Sequence, residues 1–109
     1  MYSVKHVYTN LTDSGATFIS GTQTAIGIAN RVIERLIICN TDSTAINVDL
    51  FLYNAAGTPS TVKILNGVEL AIGETLDVFP DKSFAYDDYY DLKGDAAAGH
   101  TADVIINYQ

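Results

Sequence analysis

Ile46, Val48, Leu50 and Leu52 alternate with Asn47, Asp49, Phe51 and Tyr53 along the run AINVDLFLY. Successive side chains of an extended chain point to opposite faces, so this run sets an aliphatic face against a core and a mixed face towards solvent. A helix would scatter the same aliphatic residues around its circumference. The closing residues 101–108 have the same design, with Val104, Ile106 and Tyr108 inward and Asp103, Ile105 and Asn107 outward. Residues 67–72 (GVELAI) and 74–79 (ETLDVF) supply two further strands. Val68, Leu70 and Ile72 share one face there, and Leu76 and Val78 lie on its continuation. Residues 4–9 and 89–93 are shorter strand candidates.

Residues 31–39 (RVIERLIIC) fit two periods. Val32, Ile33, Leu36 and Ile37 have helical spacing, whereas the β-branched content favours a strand. A strand is expected, because the polar turn at residues 40–44 (NTDST) and the alternating run after it would complete a hairpin. A second hairpin is expected at residues 94–100 (GDAAAGH), and Asn66-Gly67 is a short hairpin signal in its own right. Turn chemistry every 8–15 residues is the spacing of a sandwich or barrel. The predicted fold is all-β: an antiparallel, jelly-roll-like β-sandwich of about seven to nine short strands.

The chain has 109 residues, enough for one core, and is read as a single domain over residues 1–109. Hydrophobic residues make up 48% and charged residues 17%, which excludes a disordered tail. With 13 acidic residues against 6 basic ones, the net charge of −7 argues against nucleic acid as a partner. Cys39 is the only cysteine, so no intrachain disulfide forms, and its apolar neighbours suggest a small core residue. The first twenty residues show no apolar signal region, and no apolar stretch has the length to span a bilayer. A soluble protein made in a reducing cytoplasm is expected, with no membrane partner.

Chemistry-bearing residues do not converge in the sequence. His6 and His100 lie near opposite ends, outside any hydrolase motif, and no phosphate-cradling glycine motif is present. The acidic segment around Asp87, Asp88 and Asp91 is the one candidate metal site, since clustered carboxylates suit calcium. It lacks the EF-hand register, and a solvated loop is the plainer reading. No catalytic residue and no cofactor is assigned. The tyrosines remain: Tyr53, Tyr86, Tyr89 and Tyr90 fall near turns or strand ends, where aromatic side chains serve interfaces. Tyr86, Tyr89 and Tyr90 with the neighbouring aspartates also suggest an alternative, a carbohydrate-binding β-sandwich module.

The segments IICNTDSTAINVDLFLYN, LNGVELAIGETLDVF and DYYDLKGDAAAGHTADVIINY resemble small β-sandwich structural proteins of tailed-phage virions. The likeness lies in turns and alternation over residues 31–108 and involves no chemical signature, so no site residue carries over. It implies a non-enzymatic particle component located in the virion after synthesis in the host cytoplasm. Capsid decoration (a cement protein on the outer capsid surface) is the first expectation; a tail, neck or fibre component is the second. The implied partners are the major capsid protein or other virion proteins, together with further copies of the chain in a homo-oligomer. Residues 1–30 match nothing in this family and are the candidate partner-contacting arm, with Gly15, Gly21 and Gly27 as flexible points. The candidate interface residues are Tyr2, Val4, His6, Tyr8, Tyr86, Tyr89 and Tyr90.

Overall fold

The computed structural model describes residues 4–109, which form nine strands and no helix. Tyr2 lies outside the described residues. The strands are β1 (Lys5–Leu11), β2 (Ala16–Ile19), β3 (Asn30–Asn40), β4 (Ile46–Tyr53), β5 (Thr61–Leu70), β6 (Thr75–Asp77), β7 (Phe84–Asp87), β8 (Asp91–Ala96) and β9 (Ala102–Tyr108). Sheet A has the order β1-β9-β3-β6, with β7 beside β6 along the same edge of β3; sheet B has the order β2-β8-β4-β5. All pairings are antiparallel and nested: β4 with β5, β3 with β6 and β7, β2 with β8, β1 with β9. That is the order of a jelly roll, a long two-stranded ribbon wrapped into two packed sheets.

The core is the set of inward faces read from alternation. Ile46, Val48, Leu50 and Leu52 of β4 meet Ile33, Leu36 and Ile38 of β3 and Val104 and Ile106 of β9. Each fully buried aliphatic side chain contributes about 1.5–3 kcal/mol. Leu11, Phe18, Ile19 and Leu92 extend this core through β1, β2 and β8. The first two strands are therefore part of the sandwich, one in each sheet. The long connection at 20–29, between β2 and β3, is exposed along almost its whole length.

Both expected hairpins prove to be crossings between sheets. β3 already has β9 on one edge and β6 and β7 on the other, so β4 has no edge of β3 to pair with and joins sheet B instead. Residues 94–100 likewise do not form a loop between paired strands. Gly94, Asp95 and Ala96 belong to β8, and the chain then crosses to β9 in sheet A. Asn66-Gly67 is not a turn either: β5 runs straight through it. Val48 faces Val68 while Leu50 faces Leu65, so β5 carries an extra residue there, accommodated by Gly67 at φ +63°. Ile72 lies beyond the end of β5 and is exposed rather than core.

The ambiguity of RVIERLIIC has a structural cause. Ile33 pairs with Tyr108 and Arg35 with Asn107, so β3 holds an extra residue around Glu34. The bulge shifts the inward phase, and Ile33 and Leu36 both face the core at a spacing of three that imitates a helix. Cys39 falls on the other face of β3 from Ile38, half-buried and unbonded, and is not a core residue.

Candidate functional site

Residues 20–29 connect β2 to β3 at one end of the sandwich, next to the turn between β7 and β8. The three candidate metal-binding carboxylates act on this connection. Asp91 accepts the Gly21 N–H at 2.7 Å and the Gln23 side-chain amide at 2.6 Å. Asp87 accepts the Gly27 N–H with one oxygen and the Tyr89 N–H with the other. Asp88, which is buried, pairs with the Arg31 guanidinium at 2.8 Å. Its backbone accepts the Thr22 N–H and donates to the Ala29 carbonyl. Carboxylates answered by backbone N–H groups and an arginine are a clamp on a loop. No group of three or more His, Cys, Asp or Glu side chains among the described residues is placed to hold a metal ion.

Gly21 makes the clamp fit. A Cβ at this position would collide with the backbone carbonyl oxygens of both Asp88 and Tyr90. Gly27 serves differently: it has φ +81° and open space around it, which turns the chain at the tip. Both glycines, expected as flexible points, have their N–H groups held by aspartate side chains. On either side of Gly27, Ile26 is 63% and Ile28 59% exposed. The result is an apolar tip on a loop whose backbone is tied down by three acidic residues. Its signal in the sequence is TAIGIA at residues 24–29, an apolar stretch without the polar alternation of a strand.

The interface candidates separate by position. Tyr86 and Tyr89 are buried within the chain and offer no surface. Burial pushes the Tyr86 hydroxyl well above the usual tyrosine range, and its oxygen has no hydrogen-bond partner. Tyr90 packs edge-on against Tyr89 and donates to the Pro59 carbonyl at 2.9 Å. Val4, His6 and Tyr8 are exposed. The His6 ring stacks on Tyr8 and meets the Asn107 side chain at 2.7 Å. Tyr8 lies opposite Ile105 of β9, which lies opposite Ile37 of β3, giving an apolar row across the outer face of sheet A. His100 sits at the opposite end of the sandwich, 3.2 Å from Asp42. His6 and His100 are thus far apart along the fold as well as the sequence.

Sheet B carries its own polar set on the outer face. Asp49 of β4 lies directly opposite Asp95 of β8, with Lys63 3.7 Å from Asp49. Burial and the facing Asp49 carboxyl raise the pKa of Asp95. For Asp49 burial also opposes ionisation, but the Gly67 N–H, the Asp95 carboxyl and Lys63 outweigh it and lower its pKa. A carboxyl whose folded pKa is raised destabilises the fold fully above that pKa and not at all below its unfolded value. Asp95→Asn is therefore expected to raise the melting temperature at pH 7. The gain should shrink as the pH falls through the raised pKa, which paired thermal melts across pH 3–7 would measure.

No protein-family model, curated protein or solved structure matches the chain.

Proposed function

We propose that this chain is a non-enzymatic virion structural protein, a decoration (cement) protein bound to the outer surface of a capsid. One observation carries the reading: the exposed Ile26-Gly27-Ile28 tip, held in place by Asp87, Asp88 and Asp91. Apolar surface presented on an ordered loop loses little conformational freedom on docking, which suits a binding protein. The candidate arm of residues 1–30 accordingly narrows to residues 20–29, with the major capsid protein as its partner. The jelly-roll order supports the reading through its recurrence in viral capsid and lectin domains, although a fold alone does not determine function. The net charge of −7 favours a position away from packaged DNA.

The carbohydrate-binding alternative loses its platform, because Tyr86 and Tyr89 are buried and the nearby aspartates hold the 20–29 loop. The test of the virion reading is the copy number of the chain in purified particles. Hundreds of copies are expected for a decoration protein. A count of roughly six or twelve would move it to the neck or tail. Absence from particles would overturn the virion reading. Replacing Ile26 and Ile28 together by serine should empty the particles of the protein while leaving its melting temperature near that of the parent, since both side chains are exposed.

A further inference from the structure

We propose that the free edge of β1 pairs antiparallel with β1 of a second copy about a two-fold axis through Tyr8, joining two copies of sheet A into one continuous sheet. The inference names the surface behind the expected homo-oligomer and does not depend on the capsid reading. An edge strand exposes unpaired backbone N–H and C=O groups, and folds normally blunt such edges with bulges, charges, short strands or prolines. The other edges here are blunted. β2 has four residues and a register break, and β6 and β7 have three and four residues. β5 bulges at Asn66-Gly67 and carries Lys63 and Glu69. β1 has none of these devices. Its seven residues run in unbroken register with β9, without proline or bulge, and its only charged side chain apart from the titratable His6 is Lys5 at its start.

The second copy is the occupant that fits, for two reasons. First, Tyr8 is the midpoint of β1, so an axis through it pairs every residue of the strand with a counterpart. His6 then faces Asn10 and Lys5 faces Leu11, and the arrangement repeats by symmetry. No like charges meet. Second, the outer row Ile37–Ile105–Tyr8 stops abruptly at this edge, where Tyr8 is 72% exposed. The two-fold sets Tyr8 against Tyr8 and continues the row into the neighbour. The strand is already ordered for this: Asn10 donates to Asp103 at 2.7 Å and His6 is held by Asn107. A seven-residue edge is a small interface, so the dimer should be concentration-dependent.

Sedimentation over roughly 10 µM to 1 mM should show the weight-average mass rising from 11.8 kDa towards twice that value. Tyr8→Lys places two ammonium groups at the axis and should weaken association by at least about tenfold without lowering the melting temperature. In a Cys39→Ser background, Tyr8→Cys should form a reducible disulfide-linked dimer, because residues facing each other across an antiparallel pair lie within bridging distance. Ile26→Cys in the same background should not. A monomer at every concentration would overturn the proposal. So would a dimer indifferent to Tyr8→Lys, or a failure of Tyr8→Cys to cross-link. None of these outcomes would alter the particle copy number, so this proposal and the virion reading fail separately.

Discussion

Replacing Asn40 by alanine is expected to lower the unfolding free energy by about 3 kcal/mol, because one buried amide ties together three segments of the chain. Asn40 ends β3 and is 1% exposed. Its amide nitrogen donates to the carbonyls of Thr44, Leu70 and Ala71 at 2.9, 3.1 and 3.0 Å, and its oxygen accepts the Asp42 N–H at 2.8 Å. These bonds turn the chain out of sheet A and anchor it to the end of β5 in sheet B. Alanine would remove all four bonds at once; the Ala71 carbonyl keeps the Glu74 N–H, but the buried Leu70 carbonyl loses the Asn40 amide, and such a group costs about 1–3 kcal/mol when fully buried. Asn40→Asp tests the mechanism. It keeps the shape but sets a carboxylate against carbonyl oxygens, so it should be worse than alanine at pH 7 and recover as acid protonates it. Urea denaturation of both variants at two pH values would measure the difference. Equal stability of parent and alanine variant would show that the crossing does not depend on this side chain.

Gly21→Ala should cost about 2–4 kcal/mol through a clash with backbone atoms that cannot rotate away. The added methyl would fall on the carbonyl oxygens of Asp88 and Tyr90. Relief requires the 20–29 connection to move, which breaks the bonds from Gly21 to Asp91 and from Thr22 to the Asp88 carbonyl. Cleavage by a protease within residues 20–29 should therefore quicken more than global unfolding does. Gly27→Ala provides the contrast. It meets open space and suffers only its positive φ, a penalty of about 1–2 kcal/mol. If Gly21→Ala were as stable and as protease-resistant as the parent, the loop would not be clamped.

The strands with one wet face were legible because their environment is two-sided. In β4 and β9, alternation marked Ile46, Val48, Leu50, Leu52, Val104 and Ile106 as core, and these residues are buried. Where an extra residue interrupts the alternation, the period ceases to be readable. The bulge around Glu34 gave β3 a helical spacing, and the bulge at Asn66-Gly67 looked like a hairpin turn. The Asx-type geometry of residues 40–44 was also legible, since Asn40 accepts the Asp42 N–H as such turns do. Its partner strands were not. A turn signal is local, and whether the chain reverses within a sheet or crosses to another depends on which strand edges are already occupied.

The same division governs the site residues. The amino-acid order alone determined an all-β sandwich with no local catalytic motif, because apolar periodicity and turn chemistry are properties of neighbouring residues. The roles of the acids and aromatics were decided by tertiary structure. Asp87, Asp88 and Asp91 read as a solvated or metal-binding cluster, but folding places Gly21, Gln23, Gly27 and Arg31 against them. Tyr86 and Tyr89 read as surface aromatics near strand ends, yet the packing of one end of the sandwich buries them. Conversely, Tyr8, Ile105 and Ile37 are distant in sequence and become one outer row only when β1, β9 and β3 align. A hydrogen bond or a buried ring depends on what arrives from elsewhere in the chain, and that arrival is a property of the fold.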